Sequence, residues 1–207
     1  MFTLSERFEQ ALSMACDFHR LQRRKNLPTP FISHPLSVAA LVCENIEFVC
    51  SEPERCEDFA IIAILHDVIE DQGGMKAYER IAQAFGNTIA DGVLALSDSA
   101  CAQGDEKPPK TERNARYYEK MAHADLGIVL ISCCDKIHNL RSMDADYLCL
   151  GEMIWQSYTL PPPDTIANYE RLLELYRKRL GSHRILGVYE QALNAVRAIC
   201  PASHRIV

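Results

Sequence analysis

Apolar residues recur every three or four positions through almost the whole chain, and this spacing limits the fold more than any other feature. One such run contains Ala60, Ile61, Ile64 and Leu65. The spacing is typical of a helix with one buried face, and no convincing strand alternation interrupts it. The sequence therefore predicts an all-α fold of roughly eight helices. Segments rich in Pro, Gly or polar residues separate the runs at helix-length intervals, at positions 26–30, 50–54, 71–74, 104–110 and 160–164.

The length and composition fit one globular domain. The chain has 207 residues, of which 48% are hydrophobic and 24% charged, so we expect a single domain over 1–207. No apolar run approaches the ~20 residues that cross a bilayer, and the first ten residues are acidic and polar, unlike a signal peptide. We therefore expect a cytoplasmic protein with no membrane partner. Nine cysteines without a C-x-x-C pair favour reduced thiols over disulfides or a zinc ribbon.

The charge balance argues against a polymeric nucleic acid as partner. The net charge is −6 and the isoelectric point is near 5.6, whereas a duplex-binding protein normally has a basic face. Basic clusters at 20–25 and 171–180 could still bind a small anion, although the second is also typical of a solvated helix face. The sequence does not specify an oligomeric state.

Several helix boundaries can be predicted from local signals. Ser33 is a good cap for a helix that starts beside it, which places His34 at a helix N-terminus. A turn at Gly86 predicts that another helix begins near Thr88. The segment 125–148 predicts one long helix that is apolar in its first half.

The stretch 63–71 has the apolar pattern of a buried helix, yet it contains His66, Asp67, Glu70 and Asp71. Burying an uncompensated carboxylate costs several kcal/mol or more, so these groups need a partner, a cation or water on one face. Glu70 follows His66 by four positions and would share its face in a continuous helix. The stretch therefore predicts a polar face on an otherwise buried helix.

An imidazole and a carboxylate side by side are good ligands for Mn, Fe, Zn or Ni. His66 and Asp67 supply such a pair, and the remaining ligands must come from elsewhere in the chain. His34 and Asp135 are candidates, the latter because it interrupts an apolar helix. Each also has a structural interpretation, His34 as a helix cap and Asp135 as the partner of an arginine.

The order of the motifs is more specific than any motif alone. The chain resembles the histidine-aspartate (HD) phosphohydrolase superfamily, and within it the RelA/SpoT-type alarmone hydrolases and their small stand-alone relatives. The resemblance runs from about His19 to Tyr176. Five blocks carry it: RRKNLPTPFISHPLSVA, AIIAILHDVIED, FGNTIADGVLALSD, KPPKTERNARYYEKM and VLISCCDKIHNLRSMDAD.

The resemblance implies an all-α helical bundle around a single divalent metal, most often Mn²⁺. His34, His66, Asp67 and Asp135 match the positions of the four metal ligands of the family. A hard divalent ion lowers the pKa of water and so supplies hydroxide near neutral pH.

The resemblance also implies the catalytic and substrate-binding groups. Glu70 and Asp71 match an acidic pair that positions water and transfers a proton, although both could instead be exposed charges at a helix end. Arg24 and Lys25 match a basic pair that contacts the nucleotide. The remaining matches are Lys110, for a lysine that faces the phosphates, and Asn139, for an asparagine at the sugar.

Three positions depart from the family pattern. The glycine usual between 19 and 25 is missing, and Phe31 replaces a common tyrosine. No basic residue between 155 and 169 matches the one that relatives use on the phosphate chain. His138 we interpret as a structural histidine.

The function implied is that of a metal-dependent phosphohydrolase that removes the 3′-pyrophosphate of a guanosine polyphosphate, with a small nucleotide as its partner. Two alternatives remain open. One is a phosphohydrolase of the same fold that acts on another nucleotide or phosphometabolite. The other is a catalytically silent module that senses a nucleotide.

Overall fold

A computed structural model describes residues 1–98 and 108–201, and every regular element in these ranges is helical. The predicted all-α fold is therefore confirmed, with more and shorter helices than expected. Two short 3₁₀ helices, Ile46–Phe48 and Gly151–Ser157, join longer elements. The described α-helices are α1 (Glu6–Phe18), α2 (Ser33–Cys43), α3 (Pro53–Leu65), α4 (Val68–Gln72), α5 (Met75–Phe85), α6 (Asn87–Leu96), α7 (Lys110–His123), α8 (Leu126–Leu150), α9 (Pro162–Leu180) and α10 (Ile185–Ala198).

Helices α3 and α8 form the centre of the bundle. Helix α3 packs against α1, α2, α6 and α8, and α8 packs against α2, α6, α9 and α10. Gly127 lets α8 approach α3 closely, since an added Cβ would lie 2.4 Å from the ring of Phe59. Each large aliphatic side chain buried here contributes roughly 1.5–3 kcal/mol. The core thus fixes the end of α3, which His66 follows directly, and the middle of α8, which contains Asp135.

Several helix boundaries follow the sequence signals, and two do not. Helix α8 spans the predicted segment as one element, and Asp125 caps it by accepting the N–H of Gly127 at 2.8 Å. The turn at Gly86 separates α5 from α6 as expected. Ser33, however, is not the cap of α2, because its hydroxyl donates back to the carbonyl of Pro30 at 2.9 Å.

The stretch 63–71 is not one helix, and that prediction was wrong. Helix α3 ends at Leu65 and α4 begins at Val68. In a continuous helix the carbonyl of Ala63 would accept the N–H of Asp67. Here it lies 2.8 Å from Nδ1 of His66, so the imidazole ring bonds to the last turn of its own helix.

The apolar residues of this stretch pack as expected. Ile62, Leu65 and Ile69 are all buried, behind the polar groups. Eight cysteines have free thiols, and the ninth, Cys101, lies outside the described residues. Part of the predicted loop at 104–110 also lies outside them. None of the described helices has the length and apolar character needed to traverse a membrane.

Candidate metal centre and adjoining cavity

Two histidines and an aspartate from different parts of the chain converge at the junction of α2, α3 and α8. Nε2 of His34, at the start of α2, lies 3.2 Å from Nε2 of His66, at the end of α3. Oδ2 of Asp67 lies 3.3 Å from the first nitrogen and 3.2 Å from the second. The three potential ligand atoms all lie within 4.8 Å of one another.

Asp135, in the middle of α8, brings a further carboxylate to this cluster. Its Oδ1 lies 3.2 Å from Nε2 of His34 and 3.9 Å from Nε2 of His66. Its other oxygen pairs with the ammonium group of Lys136 at 2.5 Å. Asn139, one turn further along α8, donates from Nδ2 to Oδ1 at 2.6 Å. All four residues predicted as metal ligands therefore meet at one point.

The donor atoms suit a divalent transition metal. Two imidazole nitrogens and two carboxylate oxygens form a set that binds Mn, Fe, Zn or Ni. The Nδ1 atoms of both imidazoles are already engaged, that of His66 with the Ala63 carbonyl and that of His34 with Nδ1 of His138 at 2.8 Å. Both Nε2 atoms consequently face the centre, as metal coordination requires.

The electrostatics of the centre favour a cation. Burial alone would lower the pKa of His66, but Asp67 and Asp135 outweigh it and raise that pKa to about 9. Burial would raise the pKa of Asp67, yet the charge of His66 and the hydrogen bonds from both histidines hold it well below its usual value. Without a metal, the centre retains a proton on His66 that a divalent ion can displace.

Glu70 and Asp71 lie on the short helix α4 beside the centre, and both line the adjoining cavity. Oε2 of Glu70 accepts the backbone N–H of Asp98 at 3.0 Å. Oδ2 of Asp71 accepts from Nε2 of Gln22 at 2.8 Å. The predicted acid pair is thus held by residues from the loops after α1 and after α6.

A cavity of about 400 Å³ opens beside the centre, and Asp67 and Asp135 lie in its wall. Pockets of a few hundred Å³ are the usual size for small-molecule ligands. The wall also contains all four residues predicted to contact substrate, namely Arg24, Lys25, Lys110 and Asn139.

These four residues have partners within the protein. Arg24 donates to Oδ1 of Asn139 at 2.9 Å, which ties it to the amide that also contacts Asp135. The ammonium group of Lys25 lies 5.4 Å from the centre of the Tyr158 ring. Burial, followed by the charge of Lys110, lowers the pKa of Lys25.

Asp98 pairs with two cations of helix α7, of which Lys110 lines the cavity. Its carboxylate pairs with Lys110 at 2.7 Å and with Nη1 of Arg113 at 2.7 Å. Burial opposes ionisation of Asp98, but these two partners outweigh it and keep its pKa well below the usual value. The predicted phosphate-binding lysine is therefore held at the cavity by an ion pair.

No role could be assigned to the segment 156–168 from the sequence, but in the structure part of it lines the cavity. Together with the start of α9 it forms a wall of the cavity, through Tyr158, Thr165, Asn168 and Tyr169. Among the described residues that line the cavity between 158 and 172, none is Lys or Arg. This part of the wall, which Lys25 approaches at Tyr158, is thus uncharged and partly aromatic.

Sequence reasoning assigned no role in the site to several residues around the centre: Gln22, Asp98, Arg113, Lys136 and His138. Two of them could have been found from the sequence, because Lys136 and His138 lie one and three positions after the candidate ligand Asp135 on α8. The partners of the other three come from distant segments, so local spacing does not reveal them. Our structural interpretation of His138 overlooked its contact with a candidate ligand.

The family model of the HD domain matches residues 11–148, and the chain belongs to this family. The helical fold and the His and Asp cluster are those expected of an HD-domain hydrolase, a class that uses a divalent metal.

Comparison with individual proteins places the chain near the alarmone hydrolases. Guanosine-3′,5′-bis(diphosphate) 3′-pyrophosphohydrolase MESH1 of Danio rerio is 30% identical over 136 residues, which are 65% of this chain and 68% of that protein. The MESH1 protein of Xenopus tropicalis is 31% identical over 137 residues, with the same shares. The bifunctional (p)ppGpp synthase/hydrolase SpoT of Escherichia coli (strain K12) is 28% identical over 206 residues, which are 98% of this chain and 25% of SpoT. The resemblance to the RelA/SpoT branch is confirmed.

A solved structure has the same fold. It belongs to a metazoan ortholog of SpoT that hydrolyses ppGpp, and it superposes with a TM-score of 0.68 over 96% of this chain and 99% of that chain. The two sequences are 23% identical. This likeness establishes the helical architecture around the centre.

Proposed function

We propose that this chain is a metal-dependent phosphohydrolase that removes the 3′-pyrophosphate from guanosine polyphosphates such as guanosine 3′-diphosphate 5′-diphosphate. The observation that carries the proposal is the convergence of His34, His66, Asp67 and Asp135 beside a cation-lined cavity of about 400 Å³. The MESH1 proteins of Danio rerio and Xenopus tropicalis carry the name of this activity, which supports the substrate class.

The metal would be held by His34, His66, Asp67 and Asp135, and Mn²⁺ is the ion we propose. A bound divalent cation supplies a water of lowered pKa and polarises the phosphoryl oxygens. The chain contributes ligands that are already oriented, because a backbone carbonyl and a second imidazole engage the Nδ1 atoms of the two histidines. Orienting partners of this kind strengthen metal binding.

Glu70 and Asp71 would orient the attacking water and take or return its proton. Each carboxylate accepts a hydrogen bond that fixes its position, from Asp98 N–H and from Gln22 respectively. A carboxylate has about four lone-pair sites and can therefore accept more than one hydrogen bond.

The cations of the cavity would bind the phosphates. Arg24, Lys25 and Lys110 line the same cavity as Asp67 and Asp135, and charge-assisted hydrogen bonds to phosphate are about twice as strong as neutral ones. Asn139 lies one turn beyond Asp135, where its amide would meet the sugar. The uncharged wall with Tyr158 and Tyr169 suits the flat, less polar part of a nucleotide.

A second candidate function has support from one observation. The wall between 158 and 172 carries no Lys or Arg among its described lining residues, although relatives use a late basic residue on the phosphate chain. This favours a substrate with fewer charges at that end, such as another nucleotide or phosphometabolite processed by the same chemistry.

A nucleotide panel tests the proposal. The purified protein, supplied with Mn²⁺, is incubated with guanosine 3′-diphosphate 5′-diphosphate, other guanosine and adenosine nucleotides, and p-nitrophenyl phosphate. We expect release of pyrophosphate and a guanosine 5′-nucleotide from the first substrate. Cleavage of a different nucleotide would favour the second candidate, and inactivity across the panel with metal bound would favour a silent sensing module. The single domain over 1–207 and the cytoplasmic location stay predictions.

A further inference from the structure

The two candidate histidine ligands differ in what engages their second ring nitrogen. Nδ1 of His66 lies 2.8 Å from a backbone carbonyl, that of Ala63. Nδ1 of His34 lies 2.8 Å from Nδ1 of another imidazole, that of His138. The ring centres of His34 and His138 are 4.8 Å apart with planes tilted by 50°. The first contact belongs to the backbone, whereas the second depends on a side chain that substitution can change.

The chemistry of imidazole constrains the second contact. A neutral imidazole has one N–H and one lone pair, so metal binding at Nε2 of His34 leaves the proton on its Nδ1. Nδ1 of His138 must then present a lone pair and carry its own proton on Nε2. A backbone carbonyl can only accept, but an imidazole nitrogen can donate or accept. The orientation of His34 as a ligand therefore depends on the state of His138.

The position of His138 on α8 suits this role. It lies three residues after Asp135 and one before Asn139, so all three share a face of the helix. His34 begins the neighbouring helix α2, and the contact with His138 joins the two helices at the centre. The hydroxyl of Ser142 lies 3.5 Å from Nδ1 of His138, which is too long to compete with the bond to His34.

We propose that His138 is a positioning residue for the metal: its Nδ1 accepts the Nδ1–H of His34 and thereby holds Nε2 of His34 toward the cation. The inference rests on the proposed metal centre. It adds a residue that contacts neither the metal nor the substrate but acts through a ligand.

Two substitutions separate the hydrogen bond from the volume of the ring. His138→Leu fills most of the space and removes the acceptor, whereas His138→Asn places Oδ1 close to the position of Nδ1 and keeps an acceptor. The dissociation constant of Mn²⁺ is measured by calorimetry on chelator-treated protein. We expect His138→Leu to weaken binding by about 10- to 100-fold, the range for loss of a partner that orients a ligand, and His138→Asn to bind like wild type.

The thermal midpoint of the metal-free protein, measured in parallel, reports any purely structural role. Equal weakening by Leu and Asn, or wild-type affinity in both, would overturn the role of His138. Failure of the wild-type protein to bind Mn²⁺ would instead remove the metal centre, and with it the proposed function. The two failures are thus distinguishable before any activity is assayed.

A measurement on the wild-type protein covers the case in which a variant does not fold. In ¹⁵N-labelled protein loaded with diamagnetic Zn²⁺, NMR detects scalar coupling between nitrogens that share a hydrogen bond. We expect coupling between Nδ1 of His34 and Nδ1 of His138, with the proton on His34. A His34 Nδ1–H without this coupling, or a proton on Nδ1 of His138, would overturn the inference.

Discussion

The backbone N–H of Asp98 donates a hydrogen bond to Oε2 of Glu70 at 3.0 Å, although the two residues lie 28 positions apart. The carboxylate of Asp98 also pairs with Lys110 and Arg113 on α7. One residue in the loop after α6 therefore links the proposed acid–base group to the proposed phosphate-binding lysine. Substitutions at these residues should separate the roles of metal, proton transfer and phosphate binding.

Glu70→Gln should leave metal bound and slow hydrolysis. The amide keeps the size of the side chain and its bond to Asp98 but cannot take a proton. Loss of a general acid or base typically costs about 10²- to 10⁴-fold, so we expect a decrease in kcat of that order. Turnover of guanosine 3′-diphosphate 5′-diphosphate with saturating Mn²⁺ measures it. Glu79→Gln, at an exposed position of α5, is the matched control. Unchanged turnover in Glu70→Gln would shift the role to Asp71.

Metal removal should destabilise the protein. A ligand that binds only the native state stabilises it by about 2.7 kcal/mol at one hundred times its dissociation constant. We therefore expect chelation to lower the thermal midpoint and added Mn²⁺ to restore it. Elemental analysis should find about one ion per chain in wild type and in the exposed control His123→Ala, and much less in His66→Ala. Equal metal content in all three proteins would contradict the assignment of His66.

Lys110→Ala should weaken binding of a polyphosphate more than that of a simple ester. A hydrogen bond to a charged group contributes about 1.5–3 kcal/mol, so loss of one phosphate contact predicts a decrease of about tenfold or more. Asp98 keeps Arg113 as a partner in this variant. The measurement is the ratio of kcat/KM for guanosine 3′-diphosphate 5′-diphosphate to that for p-nitrophenyl phosphate. Lys178→Ala, exposed on α9, should leave the ratio unchanged, and an unchanged ratio in Lys110→Ala would remove Lys110 from the phosphate site.

The metal-free protein should lose stability as the pH rises through the weakly alkaline range. Asp67 and Asp135 overcome the effect of burial and raise the pKa of His66 from 6.5 to about 9 in the folded state. The stabilisation from protonated His66 is therefore complete below pH 6.5 and disappears as the pH rises through about 9. Thermal midpoints between pH 6 and pH 9.5, with chelator, measure this loss. With saturating Mn²⁺ the loss should be absent or reversed, because the metal replaces the proton. A flat profile in chelator would contradict the raised pKa.

Gly127→Ala should destabilise the protein by separating its two central helices. The added Cβ would lie 2.4 Å from the Phe59 ring, and overpacking of this kind costs about 1–3 kcal/mol. Denaturant unfolding of the chelator-treated protein measures the change in free energy. Gly187→Ala, in helix α10, is the matched control because its Cβ meets nothing within 4 Å. That variant should be neutral or more stable, since alanine is the better helix former. Equal effects of the two substitutions would mean that Phe59 moves aside without cost.

Much of the fold could be predicted from local spacing. Helical periodicity depends on residues three and four positions apart, so the all-α class and the long helix α8 were predictable from the sequence. The burial of Ile62, Leu65 and Ile69 follows from the same pattern. The break between α3 and α4 could not be predicted in this way. It accompanies a hydrogen bond between the His66 ring and the Ala63 carbonyl, and local helix propensity does not describe such a bond.

The sequence by itself determined which side chains could take part in metal and phosphate chemistry, because it sets the type of each side chain and its position along the chain. Only the tertiary structure decided which of them meet. His34 and Asp135 are 101 positions apart, and Nε2 of the first lies 3.2 Å from Oδ1 of the second because α2 packs against α8. The same packing brings His138 to His34, and the 3₁₀ helix after α8 brings Tyr158 to Lys25. These contacts depend on the angles and distances between packed helices, which residue spacing within any one helix does not encode.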